Sequence, residues 1–506
     1  MAIDGVSGRT SYLGSSILNI KSQLDTLTQQ LASGKKSITY AGLGVDSGTA
    51  TGLRAQVSTI ASYANTGTVI NTRLNVANLS LQGITDAGSQ VKGAAAGATL
   101  TLDSAGKTAG QKTAMASFTQ VISLLNTSVG GRYMFSGRAT DTPATQPADV
   151  ILNGSGTQAG LNQLIDERGQ ADGTSGLGRL VLTSPTPTSV TIGEDVAGSP
   201  FGLKLSAITS TLTGATVTGP APPAAPPGAP SEMSVDLGPT NPSNGDKVRF
   251  TFSLPDGTSE TIELTASSSS PPPDGGFTIG ADSTETATNL NAALNTAVGT
   301  LANTALVAAS AITASDNFFS SSPPLRVDGP PFDTATQLVN GTPANTVSWY
   351  TGESGTDPAR GTAVAAIDQS ISVQYGARAN EDAFVAQLKS IAVYAAVTTD
   401  ASNPNANGQL TALNSRIVDN LAVHPGQQSI QDIQADFAGA QAAIATAKDR
   451  QTQTGAIAQS MLDSIQGIND NEVATKILAL QTSLQASYQT TATLYQMSLL
   501  KFMPVG

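Results

Sequence analysis

One imidazole serves the whole chain. His424 lies in Val423-His424-Pro425-Gly426, a turn-forming run, and there is no cysteine anywhere in the 506 residues. A single histidine without thiolates or further imidazoles is a poor metal site. Without a G-x-S-x-G elbow it is also no base for a serine nucleophile, and no HExxH run offers a zinc protease. The glycine-rich stretch Tyr40-Ala41-Gly42-Leu43-Gly44 lacks the GxxxxGK[ST] spacing of a phosphate loop, so it reads as a turn between helices. Asp166-Glu167-Arg168 and Trp349-Tyr350-Thr351-Gly352-Glu353 are charged or aromatic clusters. The first reads as a solvated helix start and the second as a hairpin packing site. Gly8-Arg9-Thr10-Ser11 reads as a cap or turn. The many Ser and Thr of 140–360 are able to accept O-linked sugars, but composition does not select that use. No residue is assigned to catalysis, to a cofactor or to a metal, and the chain is not read as an enzyme.

The informative spacing is apolar. Leu13, Ile17, Ile20, Leu24, Leu27 and Leu31 recur at steps of four and three near the start. Val473, Ile477, Leu480 and Leu484 do the same near the finish, and Leu494, Tyr495 and Leu499 extend that face. Such steps put a narrow apolar seam along one side of a helix. Seams at both ends suggest ends that pair with each other or with neighbouring subunits. The rest of the composition agrees. Aromatics are 4% and charged residues 12%, so the core is aliphatic and the surface leans on Ser, Thr and Asn. A net charge of −12 argues against nucleic acid and against an anionic membrane surface. No apolar run is long enough to span a bilayer. The opening residues show no basic stretch followed by an apolar one, so no cleaved signal peptide is expected. By ordinary rules that reads as cytosolic; an export route that leaves the N-terminus intact would look the same.

Along the chain, residues 10–35 read as one helix stopped by Ser33-Gly34, with Lys35 and Lys36 suited to its negative end. A longer helix covers 47–98, with Ile70, Leu74, Ala77, Leu81, Ile84 and Val91 on its seam and Gly88 allowing close approach. A third covers 108–129, with Ala114, Phe118, Val121 and Leu125 on one face. The register breaks at Gly130-Gly131, and Arg132–Gly137 reads as a short strand. From 140 to 360 Pro, Gly, Ser and Thr dominate, and Gly219–Pro230 is a polyproline-like linker. Val248, Phe250, Phe252 and Leu254 alternate up to Pro255-Asp256-Gly257, and Ile262 and Leu264 follow, which is a hairpin signal. A helix is expected at 284–303. Helical patterning returns at 378–398, 405–422, 427–468 and 470–502, and Pro504 ends it. The expected fold is therefore mainly α at both termini, in long coiled-coil helices, with inserted β-rich outer domains. The expected divisions are 1–139, 140–360 and 361–506.

Particular runs resemble a family. Residues 22–44 (SQLDTLTQQLASGKKSITYAGLG) and Gly52–Gln56 (GLRAQ) resemble the N-terminal helical region of the bacterial flagellin superfamily. Asn471–Met503 resembles its C-terminal helix. Gly131-Arg132-Tyr133-Met134-Phe135-Ser136-Gly137 is similar to the strand that follows the N-terminal helices in hook–filament junction proteins, and Leu499-Leu500-Lys501-Phe502 looks like the ending of that branch. Tyr375–Glu381 (YGARANE) reads like alphaproteobacterial members. The likeness covers roughly 1–140 and 360–506; the middle matches no functional motif. Where filament flagellins often carry an Arg- and Glu-rich receptor-facing surface, this chain has Asp86–Ala94 (DAGSQVKGA), so receptor recognition is not carried over.

The resemblance implies a structural subunit of the flagellum. Its terminal segments would be largely disordered in the monomer, would order on polymerisation, and would form the inner coiled-coil tube of a hollow assembly. Its partners would be copies of itself, neighbouring axial proteins such as hook-associated proteins and flagellin, and an export chaperone on the C-terminal region. It implies secretion through the flagellar apparatus, with neither nucleic acid nor membrane insertion. The expected assembly residues are Leu13, Ile17, Ile20, Leu24, Leu27, Leu31, Ile70, Leu74, Leu81, Ile84, Val473, Ile477, Leu480, Leu484, Leu494 and Leu499. Two alternatives stay open: filament flagellin itself, and a secreted adhesin or binding module of the same helix–insert–helix plan.

Overall fold

The computed structural model describes residues 4–221 and 228–500, with side chains over 11–221 and 228–497. The expected stop at Pro504, the residues Lys501-Phe502, and the middle of the Pro-rich linker lie outside the described residues. In chain order the elements begin with α1 (Asp4–Ser33), a 3-10 turn (Tyr40–Asp46), α2 (Ser47–Ala96) and α3 (Ala109–Leu125). Then come β1 (Ser128–Val129), β2 (Arg132–Tyr133), α4 (Ala148–Asn153) and α5 (Leu161–Ala171). The strands β3 (Leu180–Thr183), β4 (Ser189–Glu194), β5 (Lys204–Ser210), β6 (Thr216–Thr218) and β7 (Glu232–Asp236) follow. After β8 (Lys247–Ser253), β9 (Ser259–Ser267) and β10 (Gly276–Thr278) come the helices α6 (Ser283–Ala302) and α7 (Ala305–Phe319). The chain closes with β11 (Leu325–Val327), β12 (Leu338–Asn340), a short 3-10 turn (Ala359–Thr362), β13 (Val364–Asp368), β14 (Ile371–Gln374), α8 (Asp382–Ala396), α9 (Ala406–Asn420), α10 (Ile430–Gln466) and α11 (Asp470–Leu500).

Two compact units divide these elements. One gathers Met1–Asn71, Ala365–Val373 and Gln441–Gly506; the other gathers Thr72–Val364 and Gln374–Ala440. The long helices α2 and α10 contribute to both. Helix thus dominates towards each end, with β structure in between.

In the larger unit the second part of α2 buries Leu74, Ala77, Leu81, Ile84 and Val91. A Cβ added at Gly88 would fall 2.6 Å from Gln387 Oε1, the flexible end of a side chain on α8 that packs over the bare backbone there. The start of α3 is held by a capping box, in which Thr108 Oγ1 accepts from Gln111 N and Gln111 Oε1 accepts from Thr108 N. Ala114, Phe118, Val121 and Leu125 form its buried face.

The middle of the chain builds two four-stranded sheets, ordered β3-β4-β7-β6 and β10-β9-β8-β5. The alternation around Pro255-Asp256-Gly257 becomes the antiparallel pair β8–β9, with Val248 opposite Leu264 and Phe250 opposite Ile262. Gly257 takes φ +82° at the turn, which a side chain would strain. Val190, Ile192, Met233 and Val235 of one sheet share a core with Val248, Phe250 and Phe252 of the other, and with Leu290, Leu294 and Val298 of α6.

The structure departs from sequence expectation in four places. The strand expected over Arg132–Gly137 shrinks to β2, because Phe135 turns into the core and Ser136 bridges to Arg378 instead. The insert carries α4, α5 and α7 as well as α6. Helix α7 escapes a periodicity reading because it is buried on nearly all sides, so its Ala and Ser show no polar stripe. The region from 361 opens with the hairpin β13–β14. Finally, Glu167 and Arg168 are not a solvated helix start. They sit inside α5 at 2% and 3% exposure, where Arg168 pairs with Asp172 and Glu167 pairs with Arg326. Charged groups this deep are tolerated because each has a partner.

Leu294, fully buried between α6 and the sheets, tests this core. Leu294→Ala should cost about 2–5 kcal/mol, read as a lower urea midpoint by circular dichroism.

Candidate assembly interface

In the smaller unit α1 packs along α11. The two are fastened at one end. Lys35 and Gly467 form an isolated antiparallel bridge. Lys36 N donates to Gln466 O at 2.7 Å, and Ile468 N donates to Gly34 O at 3.3 Å. Gly34 takes φ +65°, which ends α1 as its sequence foretold. Lys36 does not serve the end of its own helix. Its ammonium donates to Ser464 O at 3.4 Å, in the last turn of α10, where exposed carbonyls and the negative end of the dipole favour a cation. Arg54 ties the same corner, donating to Gln466 Oε1 and to Tyr40 Oη at 2.7 Å each. The glycine-rich run is a turn, as read, with Gly44 at φ +59°.

Coverage along the α1–α11 contact is partial. Leu13, Ile17, Ile20, Leu24 and Leu27 on α1 are half-buried, as are Ile477, Leu480, Leu484 and Leu494 on α11. Of the expected residues on these two helices, Val473 alone is buried and Leu31 is 41% exposed. Leu499 lies in α11, with its side chain outside the described residues. The expected residues of α2 behave differently. Ile70, Leu74, Leu81 and Ile84 are buried inside the subunit, so they have no surface left for a neighbour and serve as core.

Further apolar side chains of this unit stand in water. Leu18, Ile38, Val45, Ile457, Met461, Leu478 and Tyr488, which the seam reading missed, are exposed, and so is Tyr495, which it had placed on the apolar face. Charge is scarce around them. From Thr10 to Gly34 the chain has one cation, Lys21, and one anion, Asp25; from Ile477 to Leu500 it has none. A helix this poor in charge and this open to solvent is unusual unless something covers it. Its signal in the sequence was the missing charge, not the apolar spacing.

The segments that carried the family likeness from the two halves of the chain meet in the larger unit. Gly137 N donates to Ala377 O at 3.1 Å and Ala379 N to Phe135 O at 2.8 Å. Phe135 stacks edge-on against Phe384 with centroids 5.6 Å apart. Arginines then lock the joint. Arg138 pairs with Glu353 and Asp357, Arg378 donates to Gly355 O and Asp357 O, and Arg360 pairs with Glu381 while lying over the Phe437 ring. Trp349 is buried, and its indole N–H donates to Phe319 O at 3.0 Å. Thr145 and Tyr350 bridge next to it. The aromatic cluster is thus a packing site, made by an isolated bridge rather than a hairpin. These residues join distant stretches of chain.

His424 Nε2 lies 3.0 Å from the Asp419 carbonyl oxygen, which accepts from it in the Nε2–H tautomer, in the turn after α9. Among the described residues no group of three or more His, Asp or Glu is placed to hold a metal ion. The open grooves are shallow. One, of about 460 Å³, lies beside the Asp368–Arg450 ion pair and is lined by Tyr63, Ile60, Gln56 and Thr454. No model of a known protein family matches this chain, and no curated protein matches it either.

Burial pushes the Tyr350 phenol from 10.0 up to about 12, with Glu353 and Glu381 adding to the rise and Arg378 opposing it. The fold therefore favours the neutral phenol. That contribution is complete below pH 10 and is lost as pH rises from 10 to about 12. Tyr350→Phe should remove one late-titrating tyrosine from the ultraviolet titration and flatten the alkaline loss of structure seen by circular dichroism. An unchanged titration curve would remove Tyr350 from that role.

Proposed function

We propose that this chain is a structural subunit of the bacterial flagellum, polymerising through its paired terminal helices and stationed at the hook–filament junction. The observation that carries the reading is the state of the terminal pair. Helices from the two ends of the chain lie together, their seam is only half covered, further Leu, Tyr and Met side chains face water, and α11 is without charge beyond Lys476. A buried Leu or Ile contributes roughly 1.5–3 kcal/mol when fully covered. Two helices leave much of that unrealised, and lateral packing of many copies supplies it. In this reading the seams become a coiled coil only in the assembly. A contact between different faces that does not close on itself builds a helical stack.

The finer placement at the junction rests on the likeness of Gly131–Gly137 and of the C-terminal run to that branch. The remaining roles follow from the same reading: secretion unfolded through the flagellar apparatus, a chaperone on the C-terminal region, and contacts to neighbouring axial proteins. The sheets of 180–278 would then face outward. The function is structural, not enzymatic.

Immunogold electron microscopy of intact flagella with an antibody to residues 140–360 is the direct test. Label confined to the boundary of hook and filament is the expected result. Label along the whole filament would make the chain a flagellin, and flagella without label would return the adhesin reading. Two changes in the protein test the mechanism. Removal of about 30 residues from the C-terminus deletes α11 and should abolish assembly, while Trp349 fluorescence reports a larger unit still folded. Leu480→Asp places an unpaired carboxylate in the seam and should block polymerisation; sedimenting polymers from that variant would sink the seam argument.

A further inference from the structure

Where glycine follows asparagine or aspartate, no Cβ blocks the glycine nitrogen from reaching the Cγ of its neighbour, and a five-membered succinimide can close. This chain has nine such pairs. Four are Asn-Gly, beginning at Asn153, Asn244, Asn340 and Asn407, and five are Asp-Gly, beginning at Asp4, Asp172, Asp256, Asp274 and Asp328. By sequence alone the asparagines should react first, because a carboxylate is a poorer electrophile than an amide.

The fold reverses that order. At three asparagine pairs the attacking nitrogen is already committed: Gly154 N donates to Val150 O at 2.9 Å, Gly245 N to Ala266 O at 2.8 Å and Gly341 N to Pro324 O at 2.8 Å. Asn407-Gly408 lies in α9 and Asp4-Gly5 in α1, where helical backbone angles hold nitrogen and Cγ apart. Asp172 is fully buried and paired with Arg168, and Gly173 N donates to Gln170 O at 3.1 Å. Asp256 is paired with Arg416, and Gly257 N donates to Leu254 O at 3.0 Å. Asp328 accepts from Gln337 Nε2 at 2.8 Å. Asp274 has none of these restraints. It is exposed in the connection between β9 and β10, and among the described residues nothing donates to its carboxylate or accepts from Gly275 N. The turn there is closed one residue further on, by Gly276 N to Pro273 O at 2.9 Å.

We propose that Asp274 is a self-modification site, at which the folded chain converts aspartate to isoaspartate with water as the only co-reactant. Gly275 N attacks Cγ of the protonated carboxyl. The N–Cγ bond forms, and the carboxyl hydroxyl leaves with the amide proton as one water. Water then adds back to the succinimide. Breaking N–Cγ restores aspartate. Breaking the bond from the nitrogen to the main-chain carbonyl of Asp274 yields isoaspartate, whose backbone runs through Cβ and Cγ and is one carbon longer. Mass and charge are unchanged. The extra carbon enters just ahead of β10. Gly275 O accepts from Thr265 N at 2.9 Å beside the parallel β9–β10 pair, and Phe277 is 1% exposed in the shared core. Isoaspartate at 274 therefore loosens that edge of the sheet.

The full folded chain, kept for weeks at neutral pH beside a sample kept in urea, tests this. Isoaspartyl methyltransferase with labelled S-adenosylmethionine reads isoaspartate, and peptide mapping places it. Endoproteinase Asp-N, which does not cut at isoaspartate, gives an independent readout. In the folded chain, isoaspartate at 274 should exceed that at every other Asp-Gly and Asn-Gly pair at least tenfold. Asp274→Glu should remove it, since the six-membered ring closes far more slowly. In urea the asparagines should lead, which makes the fold the source of the order. A folded chain without isoaspartate at 274, or with more of it at any other pair, would overturn the proposal.

Discussion

Two helices lying side by side have too little surface to bury their apolar residues. That limit governs the terminal unit. Leu13, Ile17, Ile20, Leu24 and Leu27 meet Ile477, Leu480 and Leu484 across a contact that water can still reach. The larger unit faces no such limit. Its sheets, α6 and α7 enclose Phe250, Phe252, Leu290 and Leu294 completely. One chain therefore contains a part that satisfies its own hydrophobic demand and a part that does not, and the proposed role follows from the second.

The self-sufficient part is assembled from distant stretches. Phe135 and Arg378 are brought together by backbone bonds and then held by the pairs of Arg138, Arg360 and Arg378. Arginine suits such a joint because its planar fork satisfies several acceptors at once. The β8–β9 turn is anchored in the same way, with Asp256 of the turn paired to Arg416 of α9. Ionic groups here act as fasteners between segments. In the terminal helices they are almost missing, a contrast in keeping with the role proposed for that pair.

Helix positions were legible because amphipathic spacing and stop signals agreed with each other. Gly34 ended α1, Ala114, Phe118, Val121 and Leu125 marked the buried face of α3, and Pro255-Asp256-Gly257 turned β8 into β9. What escaped lacked a period. Helix α7 is buried all round, and Glu167 and Arg168 look solvated until Arg326 and Asp172 are placed beside them. The candidate interface was half legible. Steps of four and three marked both seams, but the same steps along α2 marked Leu74, Leu81 and Ile84, which are interior. Periodicity reports that a helix has an apolar side; it does not report whether the subunit covers that side itself.

The fastening at Lys35 and Gly467 gives the terminal pair a direction. The bonds of Lys36, Arg54 and Gly34 hold together the two junctions, α1 to α2 and α10 to α11, at one corner. Seen from that corner, the pair is built like a zip whose base is fastened by backbone bonds. Such a base holds the two helices near each other at that end, which lowers the loop-closure entropy cost of bringing their seams together.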